Sequence, residues 1–192
     1  MKVLLKDVRL SFANLFEAKQ VQGQGTAKFS VASLFPKDHP QKAELERGIV
    51  EAAKAKWGEA KYGDVLKALK AGDRLCVHDG DSKPDIEAYK GMLFINASNK
   101  TRPLVIGPDR APLVAADGKP YSGSYANVII EVWPQDNQFG KRINASFLGV
   151  QHVKDGERLA GGGVAAADDF EEIPQEGQAK AAATGGGAAS LF

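Results

Sequence analysis

Between residues 3 and 12 the chain sets Val3, Leu5, Val8, Leu10 and Phe12 against Lys6, Asp7, Arg9 and Ser11, the twofold period of a strand with one buried face. Residues 14–24, with Gly23, read as a loop, and residues 26–35 resume the alternation with β-branched and aromatic side chains. A hairpin-like pair is expected. The period then changes. Asp38, Pro40 and Gln41 carry the signature of a helix start, with Asp38 as the amide acceptor, and Leu45, Ile49, Ala52, Ala53 and Trp57 share one helical face up to Gly58. That spacing puts Trp57 in the core. A second helix is expected over residues 63–70, ending at Gly72, because Val65, Leu66 and Leu69 share a face. Strand patterns return over residues 74–78, 92–97, 104–106, 126–133 and 142–153, separated by Asp-Gly, Pro-Asp and Ser-Gly turns.

Strands with helices inserted after the second one predict a mainly β fold with a helical insertion, neither an alternating βαβ plan nor a helical bundle. A small Greek-key barrel of OB type fits this order and would bind oligonucleotides across one face, although a β-sandwich gives a similar pattern. From Gly161 the composition turns to Gly, Ala, Gln and acid, too poor in large apolar residues to offset chain entropy. The expected organisation is a folded domain over residues 1–160 and a disordered acidic tail over 161–192.

Charge sharpens that division. The 192 residues carry a net charge of +1, but beyond the glycine run five acids face one lysine, leaving −4 there and 24 basic against 19 acidic residues in the body. A basic body suits a polyanion, and an acidic tail can imitate one. No window approaches the roughly 20 apolar residues of a membrane-spanning helix, and the N-terminal residues lack the pattern of a secretory signal. Residence in the compartment of synthesis is expected, without membrane association. The single cysteine, Cys76, excludes an internal disulfide and a cysteine-clustered zinc site.

Cations and rings recur together near the strand ends: Arg9 and Phe12 with Phe16 and Lys19, Lys28, Phe94, Lys100 with Arg102, Tyr121 with Tyr125, and Phe139 with Lys141 and Arg142. Single-stranded nucleic acid calls for this mixture, since cations follow phosphates while aromatic faces stack on any base. Phe139 lies in a polar turn and is the ring best placed to be free, whereas Phe29, Phe94 and Trp133 lie in strands and could face either way. Phosphate contacts alone do not discriminate strandedness, so duplex DNA stays open as a ligand. Asp79, Asp81 and Asp85 could suggest a metal-dependent nuclease, but Asp-Gly pairs ordinarily make turns and a two-metal site needs carboxylates from several elements. A module that binds only protein is the other competing reading. No catalytic residue, metal or cofactor is expected. In the tail, Asp168, Asp169, Phe170, Glu171 and Glu172, and the closing Phe192, set rings among acids in the manner of a partner-docking segment.

Several motifs occur in order: Arg9-Leu10-Ser11-Phe12-Ala13-Asn14-Leu15-Phe16, Phe35-Pro36-Lys37, His78-Asp79-Gly80-Asp81, Phe94-Ile95-Asn96-Ala97-Ser98 with Arg102-Pro103, Tyr121-Ser122-Gly123-Ser124-Tyr125 and Leu148-Gly149-Val150-Gln151. Over about residues 2–172 they resemble a bacteriophage and prophage family of single-stranded-DNA-binding proteins of OB-fold type, first catalogued as a domain of unknown function. The resemblance implies a non-catalytic protein that coats exposed single strands during phage replication and recombination in the cytoplasm of a bacterial host. Its partners would be single-stranded DNA, replication proteins recruited by the tail, and neighbouring copies along the strand. The terminal Phe192 is similar to that of phage replication proteins of the same kind.

Overall fold

A computed structural model describes residues 1–21 and 24–159. Its seven strands are β1 (Lys2–Val21), β2 (Gln24–Pro36), β3 (Val77–Asp79), β4 (Met92–Asn99), β5 (Leu104–Ile106), β6 (Tyr125–Asn137) and β7 (Gly140–Lys154). Helices α1 (Lys42–Trp57) and α2 (Tyr62–Ala71) follow β2, where the sequence predicts them. One sheet runs in the order β3-β4-β2-β1-β6-β7-β5, antiparallel except for the edge pair β5–β7. The sheet curls until β4 comes alongside β7, and Asn99 Nδ2 donates to the Phe147 carbonyl at 3.1 Å across that seam. Arg74, just before β3, accepts from the Ile143 amide at 3.0 Å and ties the same seam lower down.

The register of β1 shifts at four points, and two of these, in its first half, are bulges of one extra residue. Lys6 and Asp7 stand between Leu5 and Val8 where β6 has only Asn127, and Phe12 and Ala13 stand between Ser11 and Asn14 where β2 has only Val31. Asp7 (φ 50°) and Phe12 (φ 47°) take left-handed backbone at these points, a conformation costing an L residue about 1–2 kcal/mol. The first bulge keeps Val3, Leu5, Val8 and Leu10 all facing the core. The second turns Phe12 outward.

The interior is filled by Leu5, Leu10, Ile95, Val128, Ile130 and Phe147, each fully buried, at about 1.5–3 kcal/mol per side chain. Helix α1 covers this core with Leu45, Ile49, Ala52 and Ala53. A separate small cluster, Leu34, Tyr89 and Phe94, lies on the outer face of β2 and β4 beneath the short 3₁₀ turns Gly80–Ser82 and Glu87–Tyr89.

Several expectations need correction. Residues 14–24 do not form a loop: the described part continues β1 to Val21, and β1 and β2 make a ribbon in which Lys19 faces Lys28 beyond the last pairing of either neighbour. Gln41 and not Asp38 occupies the cap of α1, and its side chain accepts from the Lys6 amide at 3.3 Å instead of capping the helix. Trp57 is only partly buried, because its indole nitrogen reaches Asp136 Oδ2 at 2.9 Å. The strand expected over 74–78 begins only at Val77. No helix among the described residues is long and apolar enough to cross a membrane.

Candidate nucleic-acid interface

Where β4 meets β7 the outer surface opens into a groove of about 650 Å³. Its cations come from four places in the chain: Lys28 on β2, Arg74 before β3, Lys100 after β4 and Arg142 on β7. Among the described residues one carboxylate, Asp73, lines it and is already hydrogen-bonded to His78 Nδ1 at 2.7 Å. The alternation of β6 and β7 puts Trp133 opposite Asn144 and Gln135 opposite Arg142 on the groove wall, while Val132, Ile143 and Ala145 point into the core. Trp133 is 40% exposed, and Phe139 at the hairpin tip beyond it is 76% exposed. Gly140, at φ 94°, leaves room for Arg74, whose Nη1 would lie 2.8 Å from a Cβ there.

The amides of the wall are committed to one another. Asn144 Nδ2 donates to Gln135 Oε1 at 3.1 Å, and Gln135 Nε2 donates to Asn137 Oδ1 at 3.2 Å. Cys76, at the back of the groove, is buried, and burial pushes its thiol up to about 12.

Of the residues singled out from sequence, Lys28, Lys100 and Arg142 converge here, with Lys19 across the ribbon from Lys28. Arg102 is exposed just past Lys100. Lys141 faces elsewhere, paired with Asp136 and lying over the Trp57 ring. Phe16 is partly buried against the main core. Phe94, expected to meet nucleic acid, is 3% exposed: its ring stacks on His78 at 5.1 Å and meets Tyr89 edge-on at 5.0 Å.

A second group gathers around Arg9, where β1 parts from β6. Arg9 Nη2 donates to the Glu157 carbonyl at 2.9 Å, the Tyr121 hydroxyl donates to the Gly156 carbonyl at 3.0 Å, and Lys154 covers the Tyr125 ring at 4.6 Å. Arg9 and Tyr121 thereby hold down Gly156 and Glu157. Phe12 alone of that set projects freely. Sequence reasoning missed Arg74 and left the direction of Trp133 open.

The aspartates around residue 80 are spent on structure. Lys37 Nζ reaches Asp79 at 3.1 Å and Asp81 at 3.0 Å, and Asp81 also accepts the Gly91 amide at 2.7 Å. The Gly91 amide and then Lys37 hold the Asp81 carboxyl below its usual range. Asp85 joins none of these contacts, and among the described residues no three His, Cys, Asp or Glu side chains are placed to hold a metal ion. The tail residues Asp168, Asp169, Phe170, Glu171, Glu172 and Phe192 lie outside the described residues.

A curled β-sheet bearing a cationic, ring-bordered groove on its outer face is the arrangement of an oligonucleotide-binding protein. Comparison with known proteins makes the class specific. The chain belongs to the single-stranded-DNA-binding protein family of Enterobacter phage Enc34, whose model matches residues 1–180, a family of DNA-binding proteins and not of enzymes. It is 42% identical over 175 residues to putative protein p50 of Acyrthosiphon pisum secondary endosymbiont phage 1, covering 90% of this chain and 94% of that one. Among solved structures it is similar to the single-stranded DNA-binding protein from bacteriophage Enc34 in complex with single-stranded DNA, with 31% identity, a TM-score of 0.71, and coverage of 83% of this chain and 89% of that one. The fold is also that of gp2.5, a single-stranded DNA-binding protein encoded by bacteriophage T7, at 14% identity and TM-score 0.54 over 94% of this chain and 99% of that one.

Proposed function

We propose that the chain binds single-stranded DNA with little sequence preference, as a replication and recombination protein of a phage growing in bacterial cytoplasm. The observation that carries this reading is the convergence of Lys28, Arg74, Lys100 and Arg142 around Trp133 in one groove. Strands β1, β2, β4, β6 and β7 serve as the five strands of an OB barrel, with the helices inserted after the second. The hairpins β1–β2 and β6–β7 then flank the groove as an OB fold's binding loops do. Phosphates follow the cations, and bases stack on Trp133 and Phe139. Sequence tolerance follows from the interlocked amides of Gln135 and Asn144, of which Asn144 donates to Gln135 and Gln135 to Asn137 instead of to base edges.

A salt titration with oligo-dT, duplex and RNA ligands tests this. Four groove cations predict a slope of log affinity against log salt of about −3 for a single strand. No binding at low salt, or a flat titration, ends the reading. The acidic tail, including Asp168, Asp169, Phe170, Glu171, Glu172 and Phe192, competes with DNA for the groove cations and recruits replication proteins. Deleting the residues after Gly163 accordingly tightens oligo-dT binding, and unchanged affinity refutes the competition.

A further inference from the structure

We propose that Phe12 and Lys83 form a second DNA subsite, one ring for a base and one cation for a phosphate, reached from the groove across the outer face of β4, β2 and β1. The inference rests on the groove reading above and extends it. Phe12 is 57% exposed and stands at a bulge in left-handed backbone, where a glycine would be unstrained. Bulges of this kind re-aim a side chain, and this one delivers the largest side chain of its segment to solvent. Strain retained without a packing return points to a surface that needs the ring.

Lys83 supplies the second half. Its Nζ lies 5.7 Å from the Phe12 ring centroid, 5.5 Å from Tyr89 and 5.1 Å from Phe94. Among the described residues no carboxylate is within ion-pairing distance of it, although Asp81 and Glu87 share its small surface depression. The buried Tyr89–Phe94 pair thus fixes an unneutralised ammonium beside an exposed ring.

One row of the surface between the two places lies open. Ser98 lines the groove, and the register carries it through Ser30 to Asn14, each partly exposed, whereas the neighbouring row from Asn96 passes Ala32 and Ser11, which are buried. The Asn14 amide donates to Ser30 Oγ at 3.1 Å, so even that side chain lies along the sheet. Two strand spacings, about 10 Å, separate β4 from β1. A backbone leaving the groove along that row meets only Ser98, Ser30 and Asn14 before it reaches Phe12.

The test uses the full chain and oligo-dT from the short and long ends of the roughly 4–16 nucleotides that one OB fold occupies. Phe12→Gly and Lys83→Ala should each weaken binding of the long oligonucleotide about tenfold and leave the short one unchanged. Phe12→Trp should bind both as the wild type does. Phe12→Gly should melt no lower than the wild type, since glycine accepts the bulge conformation. Wild-type affinity of Phe12→Gly for the long oligonucleotide overturns the subsite, and the groove reading survives that result if Arg142→Ala weakens both lengths. If Arg142→Ala alters neither, the groove reading has failed and the path from it falls too.

Discussion

Trp133 and Phe94 occupy neighbouring regions of one sheet and have opposite fates. Trp133 lines the cationic groove and also borders a second cavity that it shares with Ala52, Ala55 and Pro134. Phe94 sits on the outer face of β4 but is roofed by Tyr89 and Lys83. Replacing each by alanine therefore separates binding from folding. Trp133→Ala should cost about 1–3 kcal/mol of oligo-dT affinity with little change in Tm. Phe94→Ala should cost about 3–5 kcal/mol of stability, read by thermal melting. Alternation alone could not assign these roles, because it says which residues share a face and not what covers that face. The cover over Phe94 comes from residues 80–89, whose Asp-Gly and Pro-Asp punctuation reads only as turns.

Elements were legible wherever one face was buried. The intervals Leu5 to Val8 and Leu10 to Leu15 break a strict twofold count and record two bulges in the first half of β1, and the apolar spacing of residues 45–53 marks α1. The β1–β2 ribbon was not legible, because a two-stranded projection with water on both faces has no hydrophobic period to display. The turns that roof Phe94 depend on one tight contact. A Cβ on Gly80 would stand 2.0 Å from the Tyr89 carbonyl oxygen and 2.8 Å from that of Met92. Gly80→Ala should lower stability by about 1–3 kcal/mol through displacement of that cover, and an unchanged Tm would show the turn to be more yielding than this packing implies.

For the molecule as a whole, acid is the condition to which the fold is most exposed. Burial holds His152 below the usual imidazole range, and its Nδ1 has no hydrogen-bond partner among the described residues. An unfolded histidine takes up a proton near pH 6.5 that the folded one refuses, so the stability it contributes is complete above that pH and is lost as pH falls below it. Asp155, lowered chiefly by its hydrogen bond to Lys119, and Asp136, lowered chiefly by Lys141, act in the same sense further down, through the carboxylate range. Tm should decline from pH 7 to pH 5, and His152→Gln should flatten the decline. An identical slope in the variant assigns the acid sensitivity elsewhere. Cys76 bears on the whole molecule in a different way. As the chain's single thiol, shut inside the fold and reluctant to ionise, it will be passed over by maleimides at neutral pH. A cysteine engineered beside the groove can thus carry a fluorophore in an otherwise native background, and movement of the strand along the surface can be followed at one chosen point.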